Sequence, residues 1–112
     1  MGRAAGEGRL SSTAAATPSE GVIGEILAQA TVDGRDYVLR RITIASDGTT
    51  GWHFHDGMLC GLVTEGTLTH YKSDCRVDGV YNVGGTIVEP SGHGYVHMGR
   101  NLGPTPMVLH VL

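Results

Sequence analysis

Aromatic residues, charges and long hydrophobic runs are all scarce in this chain. Of its 112 residues, 5% are aromatic and 17% are charged, and the eight lysines and arginines are scattered along the sequence. Clustered basic residues mark nucleic-acid-binding domains, so a nucleic-acid partner is not predicted. A transmembrane helix needs about 20 consecutive apolar residues, and no segment approaches that length. We therefore predict a protein with neither a nucleic-acid nor a membrane partner.

Cysteine is scarce as well, since Cys60 and Cys75 are the only two. Their spacing matches no zinc-binding motif. Two cysteines allow one disulfide, but we predict that both are free thiols.

Residues 1–20 differ in composition from the rest of the chain. They are rich in Ala, Gly, Ser and Thr and lack the apolar middle of a signal peptide. We predict a flexible tail over these residues, then one domain over residues 21–112, in a cytoplasmic protein. Ala14-Ala15-Ala16 resembles the small-residue end of an export signal, so a trimmed signal is the alternative.

Glycine, in contrast, is abundant at 18 residues, and turn signals recur at short intervals. This pattern is typical of many short strands, and no segment has a convincing helical pattern. Sandwich, jelly roll and small barrel all fit such a succession. The predicted strands cover residues 22–30, 37–44, 52–55, 58–64, 67–71, 80–83, 86–89, 95–98 and 107–112.

The most informative feature is the histidine pair His53 and His55. Side chains in a strand alternate between its two faces, so residues i and i+2 point the same way. Two imidazoles a few ångströms apart on one face suit a single divalent metal ion. A second histidine-rich stretch, with His93 and His97, follows about forty residues later.

These two stretches resemble the two sequence motifs of the cupin superfamily. The first motif is a Gly, five residues, His-x-His, three or four residues, a Glu, six residues and a Gly. This chain has Gly48, one residue too close to the pair, and then His53 and His55. Leu59 stands at the position of the Glu, and Gly66 ends the motif.

The second motif is a Gly, five residues, Pro-x-Gly, two residues, a His, three residues and an Asn. Gly84, Pro90 and Gly92 match its first part, and His97 and Asn101 match its second part. The gap between Gly92 and His97 is two residues longer than in the family.

The resemblance, which covers residues 21–112, implies an all-β fold, the double-stranded β-helix or jelly-roll barrel, and often a homodimer. It also implies a metal ion in the barrel mouth, and Leu59 cannot ligate it. The ligand set that the resemblance implies is His53, His55 and His97. The ion would be divalent, Fe, Mn, Ni or Zn, with open positions for water, O2 or substrate. His93, four residues before His97, is the rival third ligand.

Two residues of the second stretch are candidates for proton transfer. Tyr95 shares strand parity with His97, so we predict that it is a proton donor or a substrate contact. His93 is the second candidate. His70 is expected at the surface. Asp56 and Glu89 are not predicted to act as an acid–base pair, because Asp56 lies in a turn and Glu89 directly precedes Pro90.

The same parity applies to the apolar segment after the histidine pair. Counting by two, Leu59 and Gly61 face the cavity, and Cys60 faces away from it. A glycine on the inner face leaves room, which favours a pocket beside Gly61.

Three functions are compatible with these residues. The first is an enzyme that acts on a small organic molecule at a three-histidine metal centre, either by O2-dependent oxidation or by isomerisation or elimination. The second is a binding module for a small ligand, without catalysis. The third is a metal-free lyase or dehydratase, in which pocket histidines and tyrosines transfer protons.

Overall fold

Eight strands, all paired antiparallel, form a near-closed barrel in the computed structural model, which describes residues 17–92 and 94–112. Over these ranges the chain forms no helix, and so none that would span a lipid bilayer. The all-β prediction is confirmed. The strands are β1 (Glu20–Val32), β2 (Arg35–Thr49), β3 (Leu59–Glu65), β4 (Leu68–Lys72), β5 (Val77–Tyr81), β6 (Thr86–Glu89), β7 (His97–Arg100) and β8 (Met107–Val111).

The strand order is β5-β4-β7-β2-β8-β3-β6, and β1 pairs with β2 outside this path. The long strand β2 joins the two halves of the barrel. Residues 40–44 of β2 pair with β8, whereas its last residue, Thr49, pairs with Arg100 of β7. Two register pairs matter for the site. Leu59 of β3 lies opposite Glu89 of β6, and Lys72 of β4 lies opposite His97 of β7.

Alternation along the strands separates the barrel interior from its surface. In β3, Gly61 and Val63 are buried, whereas Cys60 and Leu62 are exposed. Branched and long apolar side chains from five strands meet inside, and their burial is the main favourable contribution to folding. The buried core residues are Ile44, Val63, Leu68, Ile87, Met107, Leu109 and Val111.

On the inner face of the barrel, where a pocket beside Gly61 was predicted, the neighbouring side chains already fill the space. A Cβ at this position would lie 3.0 Å from Ile87 Cγ2 and 3.1 Å from Leu109 Cδ1. Gly61 is therefore a close-packing residue. The prediction of free thiols is confirmed, since Cys60 and Cys75 are both unpaired and exposed.

The two histidine-rich segments are less regular than predicted. The predicted strand over residues 52–55 is reduced to one β-bridge, between His53 and His97. Gly51 turns the chain just before it with a φ of +74°, and a side chain at Gly51 would collide with the carbonyls of Thr17 and Pro18. The predicted strand over residues 95–98 begins only at His97.

Asn101, the last residue of the second motif, fixes the loop that follows β7. Its buried side-chain amide donates to the carbonyl of Ile44 at 2.9 Å and to that of Thr105 at 2.8 Å. Its Oδ1 accepts from the backbone N–H of Gly103 at 3.0 Å. The side chain thus bonds three backbone groups, one in β2 and two in the loop.

Replacing Asn101 by alanine should lower the free energy of unfolding by roughly 2–3 kcal/mol, because buried backbone groups would lose their partners. Urea denaturation of the purified protein measures this loss. The matched control is Asn82→Ala, since Asn82 is exposed and accepts one hydrogen bond from Thr67. A loss at Asn101 no larger than that at Asn82 would contradict the assigned role.

Candidate metal centre

Three imidazoles from the two motifs meet at one end of the barrel. The bridge between the backbones of His53 and His97 brings their ring centroids to 4.4 Å. The ring of His55 lies 4.8 Å from that of His97 and 5.6 Å from that of His53. One ring nitrogen of each residue lies within 4.8 Å of the other two. His97 is buried, whereas 23% of the His55 side chain is exposed and opens the group to solvent.

Each of these three rings is oriented by a backbone carbonyl two residues away. A carbonyl only accepts hydrogen bonds, so the Nδ1 atom that faces it must carry the proton. The contacts are His53 Nδ1 to Gly51 O at 2.9 Å, His55 Nδ1 to Gly57 O at 3.1 Å, and His97 Nδ1 to Tyr95 O at 2.9 Å. In His53 and His97, a neutral ring held in this way presents the lone pair of Nε2 to the shared centre.

The Nε2 atoms have the character of metal ligands. Burial, together with the neighbouring His97, lowers the pKa of His53 to about 4, so this imidazole is neutral at pH 7. His97 Nε2 is fully buried and has no hydrogen-bond partner among the described residues. A buried polar atom without a partner is costly, and a bound cation would remove that cost.

Glu89 lies directly against this group. Its Oε1 is 3.0 Å from His55 Nε2 and 3.2 Å from His97 Nε2, the latter without hydrogen-bond geometry. Burial disfavours ionisation of Glu89, but its contacts with His55 and His70 outweigh burial, and the pKa of Glu89 falls below its ordinary value. The site therefore holds a buried carboxylate next to the three histidines, which the sequence did not predict.

His70 was expected at the surface, but only 1% of its side chain is exposed. Its Nδ1 donates to Asp78 Oδ1 at 2.6 Å, and its Nε2 donates to Glu89 Oε2 at 2.7 Å. Burial opposes protonation, but the two carboxylates outweigh it and raise the pKa of His70. With both nitrogens donating, His70 has no lone pair for a metal. We therefore discount a site built from His70, Glu89 and His97, although their donor atoms are close enough.

Tyr95 lies beside the histidines, as the parity argument predicted. Its ring is 4.7 Å from that of His97 and stacks on that of His70 at 6.3 Å. Burial and the negative charge of Asp78 raise the pKa of Tyr95 to about 12, so its hydroxyl keeps its proton at neutral pH. His93, the other candidate for proton transfer and the rival third ligand, lies outside the described residues.

The sequence contained a signal for both missed residues. Glu89 lies two positions after Ile87 of the core, and His70 lies two positions after Leu68. Strand alternation therefore placed both side chains on the inner face. Which strands would face each other was not evident, so their contact with the histidine pair was not predicted.

The residues present fit a divalent metal ion. Histidine binds metals through an unprotonated nitrogen while its other nitrogen donates to a carbonyl or carboxylate, and His53 and His97 both have this arrangement. Both ring nitrogens of His55 face acceptor oxygens. A cation at the centre would accept electron pairs from both His55 Nε2 and the Glu89 oxygen that faces it.

No family model matches the chain, and no curated protein matches it. Solved structures do resemble it. KdgF from Halomonas sp. shares 18% identity at a TM-score of 0.63, over 81% of this chain and 78% of that one. Oxalate oxidase in complex with glycolate shares 23% identity at a TM-score of 0.63, over 90% of this chain and 54% of the oxidase. A sugar phosphate isomerase of the cupin superfamily from Silicibacter pomeroyi shares 15% identity at a TM-score of 0.63, over 81% of this chain and 57% of the isomerase.

The chain has the cupin fold. At these identities the similarity shows the fold alone, and this chain spans less than two thirds of the oxidase and of the isomerase. The resemblance inferred from the two sequence motifs is thus confirmed at the level of the barrel. The cupin barrel supports many activities, so function has to be argued from the site.

In the metal-free protein at pH 7, His53 and His97 should both carry their proton on Nδ1, and His70 should be protonated on both nitrogens. His53 should stay neutral down to about pH 4. Because an unfolded histidine takes up its proton near pH 6.5, His53 makes the folded state less stable as the pH falls from that value towards 4. Long-range proton–nitrogen NMR of the imidazoles measures these states. An Nε2–H tautomer at His53 or His97 would contradict the ring orientations.

Proposed function

We propose that this cupin binds one divalent metal ion through His53, His55 and His97 and acts on a small organic molecule there. The observation that supports this most is the convergence of three Nε2 atoms whose Nδ1 partners are backbone carbonyls. A hydrogen bond from Nδ1 to a carbonyl fixes the orientation of the ring, and this arrangement is typical of histidines that bind metals. His93 has no part in this proposal.

The proposed chemistry is isomerisation or elimination in preference to oxidation. A divalent ion bound here would act as a Lewis acid on a carbonyl or carboxylate oxygen of the substrate. Tyr95 is the proposed proton donor, because its hydroxyl stays protonated and its ring lies beside His97. Isomerisation and elimination both require proton transfer of this kind.

The identity of the metal is a separate question from its ligands. Imidazole nitrogen accepts Fe, Ni and Zn, and affinities rise along the first-row series towards copper. Fe, Mn, Ni and Zn therefore all fit the proposed site, and the ion found after purification reflects supply as well as function.

Two other functions predict different behaviour of the same site. A binding module would take up a small ligand without turnover. A metal-free lyase or dehydratase would use Tyr95 and the histidines alone and would need no ion. The partnerless Nε2 of His97 favours the metal-dependent function over the metal-free one.

Untagged wild-type protein should contain close to one divalent ion per chain after incubation with Fe, Mn, Ni or Zn salts, measured by elemental analysis. The double variant His53→Ala/His55→Ala should contain none, since two of three ligands are gone. His110→Ala is the matched control, because His110 is half-buried and contacts Thr64 instead of the cluster. No ion in the wild type, with any of the four metals, would overturn the proposal.

Turnover separates the enzyme from the binding module. Metal-loaded protein can be screened by NMR against small hydroxy, keto and uronic acids, with solvent deuterium as the marker of proton transfer. Tyr95→Phe should keep the metal and lose deuterium incorporation. A ligand that binds the loaded wild type without any turnover would support the binding module instead.

A further inference from the structure

The acid that the first cupin motif normally supplies is missing from β3, where Leu59 stands in its place. We propose that Glu89 of β6 is a fourth ligand of the metal centre and replaces that acid from the neighbouring strand. This inference rests on the proposed function, because it requires that a metal ion binds the three histidines.

The register of the sheet places the two positions side by side. Leu59 and Glu89 are direct partners in the antiparallel pair of β3 and β6. Side chains at paired positions project from the same face of the sheet, and their Cβ atoms lie about 4.5–5.5 Å apart. The carboxylate of Glu89 is therefore attached to the barrel wall close to the point where a glutamate at position 59 would be attached.

The contacts of Glu89 match those of a ligand. Its side chain is only 10% exposed, and its Oε1 faces Nε2 of His55 at 3.0 Å and Nε2 of His97 at 3.2 Å. These are two of the three nitrogen atoms proposed to bind the ion. With Nδ1 donating to the carbonyl of Tyr95, a neutral His97 ring turns the lone pair of Nε2 towards this oxygen. A cation between the two atoms would make that contact favourable.

The second oxygen of Glu89 is held away from the centre. Oε2 accepts from His70 Nε2 at 2.7 Å, and His70 in turn donates to Asp78 at 2.6 Å. This chain fixes the orientation of the carboxylate, so Oε1 alone points at the histidines. His70 and Asp78 are thus positioning residues, comparable to the outer partners that orient ligands in other metal sites.

The consequence is electrostatic. Three neutral imidazoles leave a divalent ion with its full charge, whereas a bound carboxylate reduces the charge of the loaded centre to +1. Removing a buried anionic ligand should therefore weaken metal binding more strongly than removing an orienting partner does.

Zn(II) affinity, measured by competition with a chelator, tests the role of Glu89. Glu89→Gln should weaken binding by more than about 100-fold, beyond the 10–100-fold that is typical of an outer partner. Asp56→Asn is the control, because Asp56 is an exposed acid next to His55, and its affinity should match the wild type. Leu59→Glu combined with Glu89→Gln should recover binding, since the carboxylate returns on the paired position.

The outcomes separate this inference from the proposed function. A loss of about 100-fold or less in folded Glu89→Gln, while His53→Ala abolishes binding, would overturn the role of Glu89 and leave the three-histidine site intact. No Zn(II) binding by the wild type would overturn both.

A measurement on the wild type avoids any dependence on how the variants fold. In protein labelled with 13C-glutamate, Zn(II) should widen the separation between the asymmetric and symmetric carboxylate stretches of one glutamate, as binding through a single oxygen does. An infrared difference spectrum without an isotope-sensitive carboxylate band would overturn the inference.

Discussion

The hydrogen bonds from three imidazole Nδ1 atoms to backbone carbonyls are the constraint on which the site depends. They fix the tilt of all three rings and the tautomer of His53 and His97. The local backbone determines the position of a carbonyl two residues away. The loops that carry the histidines therefore orient the rings, and no regular strand is needed. This explains how the pair His53 and His55 converges even though its segment contributes only one β-bridge.

A buried carboxylate is the second element of the site, and its burial has to be compensated. An unpaired charge in a barrel interior is strongly destabilising. Glu89 avoids this because His55 and His70 lie at hydrogen-bond distance from its two oxygens, and His70 is itself paired with Asp78. The polar network therefore ties β6, β4 and β5 to the histidine loops, across strands that are far apart in sequence.

The sequence predicted the parts of this arrangement that depend on local pattern. Glycine-rich turns and short β-branched segments predicted an all-β barrel, and the two spaced motifs predicted which histidines would meet. Residues whose role depends on which strands face each other were missed. Glu89 sits opposite Leu59 only because β6 pairs with β3, and His70 reaches Glu89 only because β4 lies across the barrel. Strand pairing over such distances is set by the packing of the whole core, which no short window of sequence contains.

Local departures from regular strand geometry could not be predicted from the sequence either. Gly51 adopts a left-handed conformation because the chain near Thr17 and Pro18 lies against it. Alternation alone predicted a continuous strand there, and likewise suggested a pocket at Gly61, where Ile87 and Leu109 fill the space. In both places a distant segment of the chain decides the outcome.

X-ray absorption spectroscopy of the Zn(II)-loaded protein tests the three-histidine centre most directly, because multiple scattering from imidazole rings counts the bound histidines. Three imidazoles around one ion are expected in the wild type, and one fewer in His53→Ala. A spectrum with oxygen ligands and no imidazole scattering would contradict the assignment of His53, His55 and His97 as the metal site.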